Sequence, residues 1–274
     1  MESNLKFYKM TGSGNDFVML DGRETSPAAW SAERIVRVCD RRNGVGADGL
    51  VILTPESSDT VRMSFFNSDG SEASMCGNAA LCSTTLATRL GMAPAAGMRL
   101  ATGAGTFPTR TTGRASESSL NLPAFDLPVP APIPLESGEL GIWLATVGVP
   151  HLTVLVQDVE KVELNTRGRE LRFHSGSGKL GANVNFLTPV RAEAQRSWLM
   201  RTYERGVEGE TLACGTGAVA SAVALTLFAG GQLPMDIVSR GGMPLAIRAT
   251  ISGGTATDVW LTGEGRLVFE GLLF

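Results

Sequence analysis

The sequence predicts an α+β fold of two pseudo-symmetric domains, each a mostly antiparallel, β-barrel-like sheet around a central α-helix. Three observations predict it. The chain repeats a motif about half its length apart. Short β-branched and aromatic runs occur in a similar order in both halves, as strands require. One stretch rich in Ala, Leu and Val follows a Cys-Gly pair in each half. A helix apolar on most faces is a buried helix.

The repeat is read directly. Glu72-Ala-Ser-Met-Cys76-Gly77-Asn78-Ala79-Ala80-Leu81-Cys82-Ser83 and Glu210-Thr-Leu-Ala-Cys214-Gly215-Thr216-Gly217-Ala218-Val219-Ala220-Ser221 both fit E-x-x-x-C-G-x-x-A-x-x-S. They lie 138 residues apart (214 − 76). Upstream, Gly46-Ala47 matches Gly181-Ala182 at an offset of 135 (181 − 46). A weaker match sets residues 63–67 beside residues 200–204. Several matches in one order at nearly one offset argue for domain duplication.

In chain order, strands are expected over residues 17–20, 50–53, 62–66, 152–157, 184–188, 198–203, 237–239, 245–249 and 258–261. Helices are expected over 79–90 and 218–228, with Gly91 and Gly230 as their stops. Gly12-Ser13-Gly14 reads as a turn or ligand loop. It lacks the third glycine of a dinucleotide fingerprint. Arg41-Arg42 reads as a solvated helix end and His174 as a surface residue. Residues 176–180 read as a flexible loop, because Leu180 stands where a phosphate loop needs Ser or Thr. The Pro-rich residues 123–134 form an extended connector. The expected domains are therefore 1–124, with a last strand over 265–274 packing back onto it, and 125–264.

Composition excludes several classes. With 24 basic and 27 acidic residues the net charge is −3, which offers no footprint for nucleic acid or an anionic membrane. The most apolar stretch, 218–229, is far shorter than the roughly 20 residues of a membrane span. No apolar export segment opens the sequence, and the four cysteines show neither metal spacing nor disulfide density. They read as thiols of a cytoplasmic protein. Two histidines, His151 and His174, cannot make a metal site alone, so no metal is expected.

Cys76 and Cys214 carry the chemistry. Each stands where a buried helix begins, and a helix N-terminus offers open N–H groups and partial positive charge. Both favour a thiolate. The following glycine lets those N–H groups approach a carboxylate. Two like acid/base groups facing one cleft suit inversion of a carbon: one removes a proton and the other delivers one to the opposite face. The N–H groups would stabilise the enediolate-like charge that develops. No electron-sink cofactor is evident. With the carbon about 3–3.5 Å from each sulfur, the thiols should lie roughly 7 Å apart when closed. Cys39 and Cys82 read instead as small buried hydrophobes.

These residues sit in segments that resemble the diaminopimelate epimerase family nearly end to end: residues 9–17, 44–49, 66–72, 76–78, 148–151, 183–186, and 203–206 through 213–217. The resemblance implies a cofactor-independent epimerase interconverting LL- and meso-diaminopimelate, a step toward lysine and peptidoglycan precursors. It implies Cys76 and Cys214 as the two bases. Gly77, Asn78, Gly215 and Thr216 would meet the reacting carboxylate. Asn15, Asn67, Asn183 and Arg205 would be substrate contacts, with Arg205 gripping the distal carboxylate. Glu204 would engage an ammonium group or tune a thiol together with His151. Val149 and Gly49 stand where the family often has Asn and Gln. Racemases of other amino acids, such as histidine or glutamate, share the frame and are the alternative. The expected partners are a small amino-acid substrate and a second copy of the chain in a homodimer, with neither nucleic acid nor membrane.

Overall fold

The structure is a computed structural model and describes residues 4–190 and 195–274. The start of the first expected domain, at residue 1, lies outside them. The chain divides into two compact units. Unit 1 holds the described residues through Asn121 together with Thr262–Phe274, and unit 2 holds Leu122–Leu261. The α+β class is the one expected.

Unit 1 runs β1 (Leu5–Gly12), β2 (Asn15–Asp21), α1 (Ala32–Cys39), β3 (Gly49–Pro55), β4 (Thr60–Asn67), β5 (Glu72–Ala73), α2 (Gly77–Arg89), β6 (Met98–Thr102), β7 (Gly105–Thr111) and β8 (Glu117–Leu122). Unit 2 follows with β9 (Phe125–Asp126), β10 (Val129–Pro130), β11 (Glu139–Val147), β12 (Val149–Val156), α3 (Arg169–Phe173), β13 (Asn183–Pro189), β14 (Ser197–Glu204), β15 (Gly209–Thr211), α4 (Gly215–Phe228), β16 (Met235–Val238), β17 (Pro244–Ser252) and β18 (Thr255–Glu264). The chain re-enters unit 1 at Thr262, within β18, and β19 (Arg266–Leu273) pairs antiparallel with β1.

Antiparallel pairs predominate, but among the described residues each unit carries two parallel pairs at matching places. In unit 1, β2 pairs parallel with β3 and β4 with β6. In unit 2, β12 pairs parallel with β13 and β14 with β16. The registers repeat as well. Phe17 faces Gly49 as Leu152 faces Val184, a shift of 135 (152 − 17, 184 − 49). Val61 faces Leu100 as Trp198 faces Ile237, a shift of 137 (198 − 61, 237 − 100). The offsets seen in the motifs are thus offsets of hydrogen-bonded registers.

The central strands are buried on both faces, so they read as continuous apolar runs rather than alternating ones. Phe17, Val18, Met19 and Leu20 are all buried, as are Leu50, Val51, Ile52 and Leu53. Val18, Leu20, Leu50 and Ile52 pack with Ile35 and Cys39 of α1. Side chains alternate along a strand, so Phe17, Met19, Val51 and Leu53 point the other way. In unit 2, Leu152, Val154, Val184 and Phe186 pack with Leu171 of α3.

The helices α2 and α4 are the buried ones that composition predicts. Ala79, Ala80, Leu81, Cys82, Leu86 and Ala87 have no exposure, and neither do Ala218, Val219, Ala220, Ala222, Val223, Ala224 and Leu225. Their small side chains let strands come close. Gly91 and Gly230 follow the last helical turns with φ of 65° and 69°, the left-handed stop a glycine takes without strain.

Two expectations differ from what the fold shows. Residues 176–180 are not wholly a flexible loop: Ser175–Ser177 form a tight 3-10 turn, and the buried Ser177 Oγ donates to the Leu171 carbonyl at 2.6 Å. His174 is half-buried, and its Nδ1 accepts from the Gly176 N–H at 3.0 Å. A capping bond, rather than solvent, sets its place.

Candidate active site

In unit 1, Cys76 is the N-cap of α2, with extended backbone (φ −144°, ψ 120°). The first helical bond runs from the Ala80 N–H to the Cys76 carbonyl at 2.9 Å. The N–H groups of residues 77–79 therefore precede the helical ladder and point out of the helix start. Gly12 lies against this turn. A Cβ there would stand 3.0 Å from the Asn78 carbonyl oxygen, the Cys82 Sγ and the Glu264 carbonyl oxygen.

Asn15 and Asn78 touch: Asn78 Nδ2 donates to Asn15 Oδ1 at 2.7 Å. Asn15 Nδ2 in turn donates to Asp48 Oδ2 at 2.9 Å. Asp48 and Asp16 lock their loops reciprocally, since the Asp16 N–H donates to Asp48 Oδ2 and the Asp48 N–H to Asp16 Oδ1. Arg41 clamps both carboxylates, with Nη2 2.7 Å from Asp16 Oδ1 and 2.7 Å from Asp48 Oδ1. Lys9, almost wholly buried, donates to Asp16 Oδ2 at 2.7 Å and to the Gly46 carbonyl. Burial pushes the Asp16 carboxyl up, but Arg41 and Lys9 together outweigh it and bring the group down to about 2. Asn67 closes β4, where its Nδ2 donates to Ser71 Oγ at 3.0 Å.

In unit 2, Cys214 is the N-cap of α4 (φ −134°, ψ 101°), and the Ala218 N–H donates to its carbonyl at 2.9 Å. Its Sγ lies 4.0 Å from Thr216 Oγ1. Gly217 has no room for a side chain: a Cβ would stand 2.4 Å from Asn185 Oδ1 and 3.0 Å from Cys214 Sγ. Asn185 is itself pinned, donating to the Leu152 carbonyl and accepting from Thr202 Oγ1. Asn183 Oδ1 accepts the Arg205 N–H at 2.7 Å, which leaves its Nδ2 facing His151 Nδ1 at 3.5 Å. His151 Nε2 is buried and has no hydrogen-bond partner. His151 has no exposure, and burial, helped by the nearby Arg205 charge, drives its imidazole down to about 3. It is neutral at physiological pH. Glu204 ends β14 half-buried, and burial raises its carboxyl.

Within unit 1 the structure thus brings Asn15, Asn78 and Cys76 to one turn. Within unit 2 it joins His151, Asn183 and Arg205. Cys39 and Cys82 are buried, and burial pushes the Cys39 thiol to about 11 and the Cys82 thiol well above its usual value. Both suit packing rather than proton transfer. Arg41 is exposed just past the end of α1, as expected, and it also bridges two loops through Asp16 and Asp48. Arg42 is solvated, as expected. Sequence reasoning missed the Lys9–Asp16–Arg41–Asp48 cluster and Asn185, although all but Arg41 fall inside quoted motifs. Among the described residues, no three His, Cys, Asp or Glu side chains cluster as metal ligands.

Known proteins resemble this chain at several levels. The family model described as "Diaminopimelate epimerase" matches residues 7–119 and 143–264. A diaminopimelate epimerase of Gemmatimonas aurantiaca is 43% identical over 97% of this chain and 98% of its own length. One from Aquifex aeolicus is 38% identical over 98% of each. Among solved structures, a hydroxyproline epimerase from Agrobacterium vitis with bound trans-4-hydroxy-L-proline superposes with a TM-score of 0.69 at 17% identity, covering 99% of this chain and 93% of that one. A phenazine biosynthesis PhzF-family protein of Bacillus anthracis gives 0.73 at 12% identity, covering 99% of each. At such identities the likeness speaks for the fold.

Proposed function

The chain belongs to the diaminopimelate epimerase family, and from that premise we propose that it interconverts LL- and meso-diaminopimelate with Cys76 and Cys214 as the two proton-transfer groups. One observation carries the residue assignment: each of two duplicated units caps its buried central helix with a cysteine followed by glycine. A repeat that keeps a thiol at the same helix start in both copies supports a pair acting together.

In this reading one cysteine, as thiolate, takes the α-proton and becomes a thiol. The other thiol gives its proton to the opposite face of the carbon and becomes the thiolate. One C–H bond breaks, one forms, and no electron leaves the substrate. The open N–H groups at residues 77–78 and 215–216 suit the α-carboxylate, where charge builds in the transition state. Arg205, Asn15, Asn67 and Asn183 suit the rest of the substrate, and Glu204 an ammonium group. His151, neutral and buried, suits a hydrogen bond rather than a second charge. The product serves lysine biosynthesis. The reading includes a reducing cytoplasm, which keeps both thiols competent. It also includes a homodimer; exposed Val268, Phe269, Leu272 and Phe274 near the chain's last strand support one, and sedimentation equilibrium decides it.

The test is epimerisation in heavy water. LL-diaminopimelate should take up deuterium at the α-carbon as it inverts, because each thiol exchanges with solvent. Cys76→Ala and Cys214→Ala should each lower the rate by at least about 10²-fold, the scale of one lost acid/base group. A wild-type chain that neither labels nor inverts this substrate under reducing conditions overturns the assignment.

A further inference from the structure

We propose that Asp48 is a positioning residue, whose carboxylate sets the polarity of the Asn15 and Asn78 amides so that Asn78 Oδ1 is presented as the acceptor for an ammonium N–H of the bound amino acid. This rests on the function proposed above and adds to it a side chain that touches no substrate.

Donors and acceptors decide the orientation of each amide. A carboxylate at neutral pH only accepts. Asp48 Oδ2 already takes the Asp16 N–H at 3.2 Å, and Asp48 Oδ1 takes Arg41 Nη2 at 2.7 Å. The Asn15 atom 2.9 Å from Asp48 Oδ2 must therefore be the nitrogen. That turns Asn15 Oδ1 toward Asn78, and the Asn78 atom 2.7 Å away must again be a nitrogen. Each amide is thereby fixed, although an isolated amide could face either way. The relay ends on Asn78 Oδ1, which is buried and has no hydrogen-bond partner. Asn78 is only 3% exposed. A buried acceptor left open is costly. A ligand that brings an N–H to it recovers that cost, and one that brings an oxygen does not.

Asn78 lies two residues after Cys76, on the first turn of α2, so its open oxygen belongs to the same turn as the proposed base. The backbone N–H groups of that turn favour anions, whereas the Asn78 side chain offers an acceptor. The two together discriminate: the carboxylate goes to the backbone and the ammonium to the side chain. Arg41 and Asp16 hold Asp48 in place from behind.

Asp48→Asn tests the proposal. It is isosteric, but its own NH2 admits the inverted relay, which would turn a donor toward the ammonium. The full chain, the variant, Asn78→Ala and the double variant are assayed for diaminopimelate turnover. Asp48→Asn should raise KM about 10-fold or more, the scale of one hydrogen bond to a charged group, with kcat within about threefold. The effect of Asp48→Asn should be smaller in the Asn78→Ala background than in the wild type, because Asp48 acts in part through that amide. Effects that multiply, or an unchanged KM, overturn the relay. A second measurement needs no variant and no substrate: the Asn15 and Asn78 side-chain NH2 protons of the unliganded wild type should be protected from solvent exchange, and free exchange at either overturns the proposal. An inactive wild type with both amides protected would instead overturn the function proposed above.

Discussion

A single imidazole makes the protein's stability depend on pH. His151 is lowered from 6.5 to about 3 by burial and the nearby Arg205. The unfolded chain binds this proton between those values and the folded chain does not, so its contribution is complete above pH 6.5 and drains away as pH falls toward 3. Chemical denaturation at pH 7 and pH 4.5 should therefore show a smaller stability loss for His151→Gln than for the wild type. Asp16 follows the same sign in a lower window, from 3.8 to about 2. At this scale Cys76 and Cys214 were legible because duplication marked them twice. Asp48 and Arg41 were not. The partners of Arg41 lie 25 and 7 residues away, across loops whose approach depends on the parallel β2–β3 pair. A charge after a helix end carries no local sign of such a bridge. Asn185 was hidden for a related reason, since its bonds go to Leu152 and Thr202 of neighbouring strands.

Elements divide by how their burial is patterned. β2, β3, β13 and β14 were readable as apolar runs because helices cover the central sheets. β7 and β8 were not, for they carry Thr, Ser and, at residue 108, a proline. α1 was missed because most of its eight residues are exposed and only Ile35 and Cys39 are buried. Parallel pairing was illegible, since no short turn announces it. The helix starts and stops were plain, and they make opposite predictions. Gly91 has φ of 65°, and a Cβ added there would meet nothing within 4 Å, so Gly91→Ala should cost about 1 kcal/mol in denaturant unfolding and leave kcat/KM unchanged. Gly217→Ala pushes against Asn185 Oδ1 and Cys214 Sγ. It should lower kcat by about 10²-fold, the effect of a reacting group displaced by an ångström; unchanged turnover would show that the sulfur does not need that turn.

The whole molecule is a duplicated unit whose first copy is finished by the last strand. β19 supplies a long antiparallel partner to β1, from Leu5↔Leu273 to Thr11↔Arg266. Removing residues 265–274 should therefore unfold unit 1 while unit 2, continuous from Leu122 to Leu261, keeps its protection in hydrogen-exchange measurements. Equal loss in both would mean the two units unfold as one. The repeat of registers was legible only as a motif offset; which strands it paired emerged only in the folded chain. That late closure has a consequence for birth on the ribosome. The half that emerges first waits, with one margin of β1 unclaimed, until the entire second half has left the exit tunnel. Throughout that interval the nascent chain exposes a raw strand border that a chaperone, or a neighbouring nascent copy, could seize. Translation order thus makes the earlier-born lobe the later to mature.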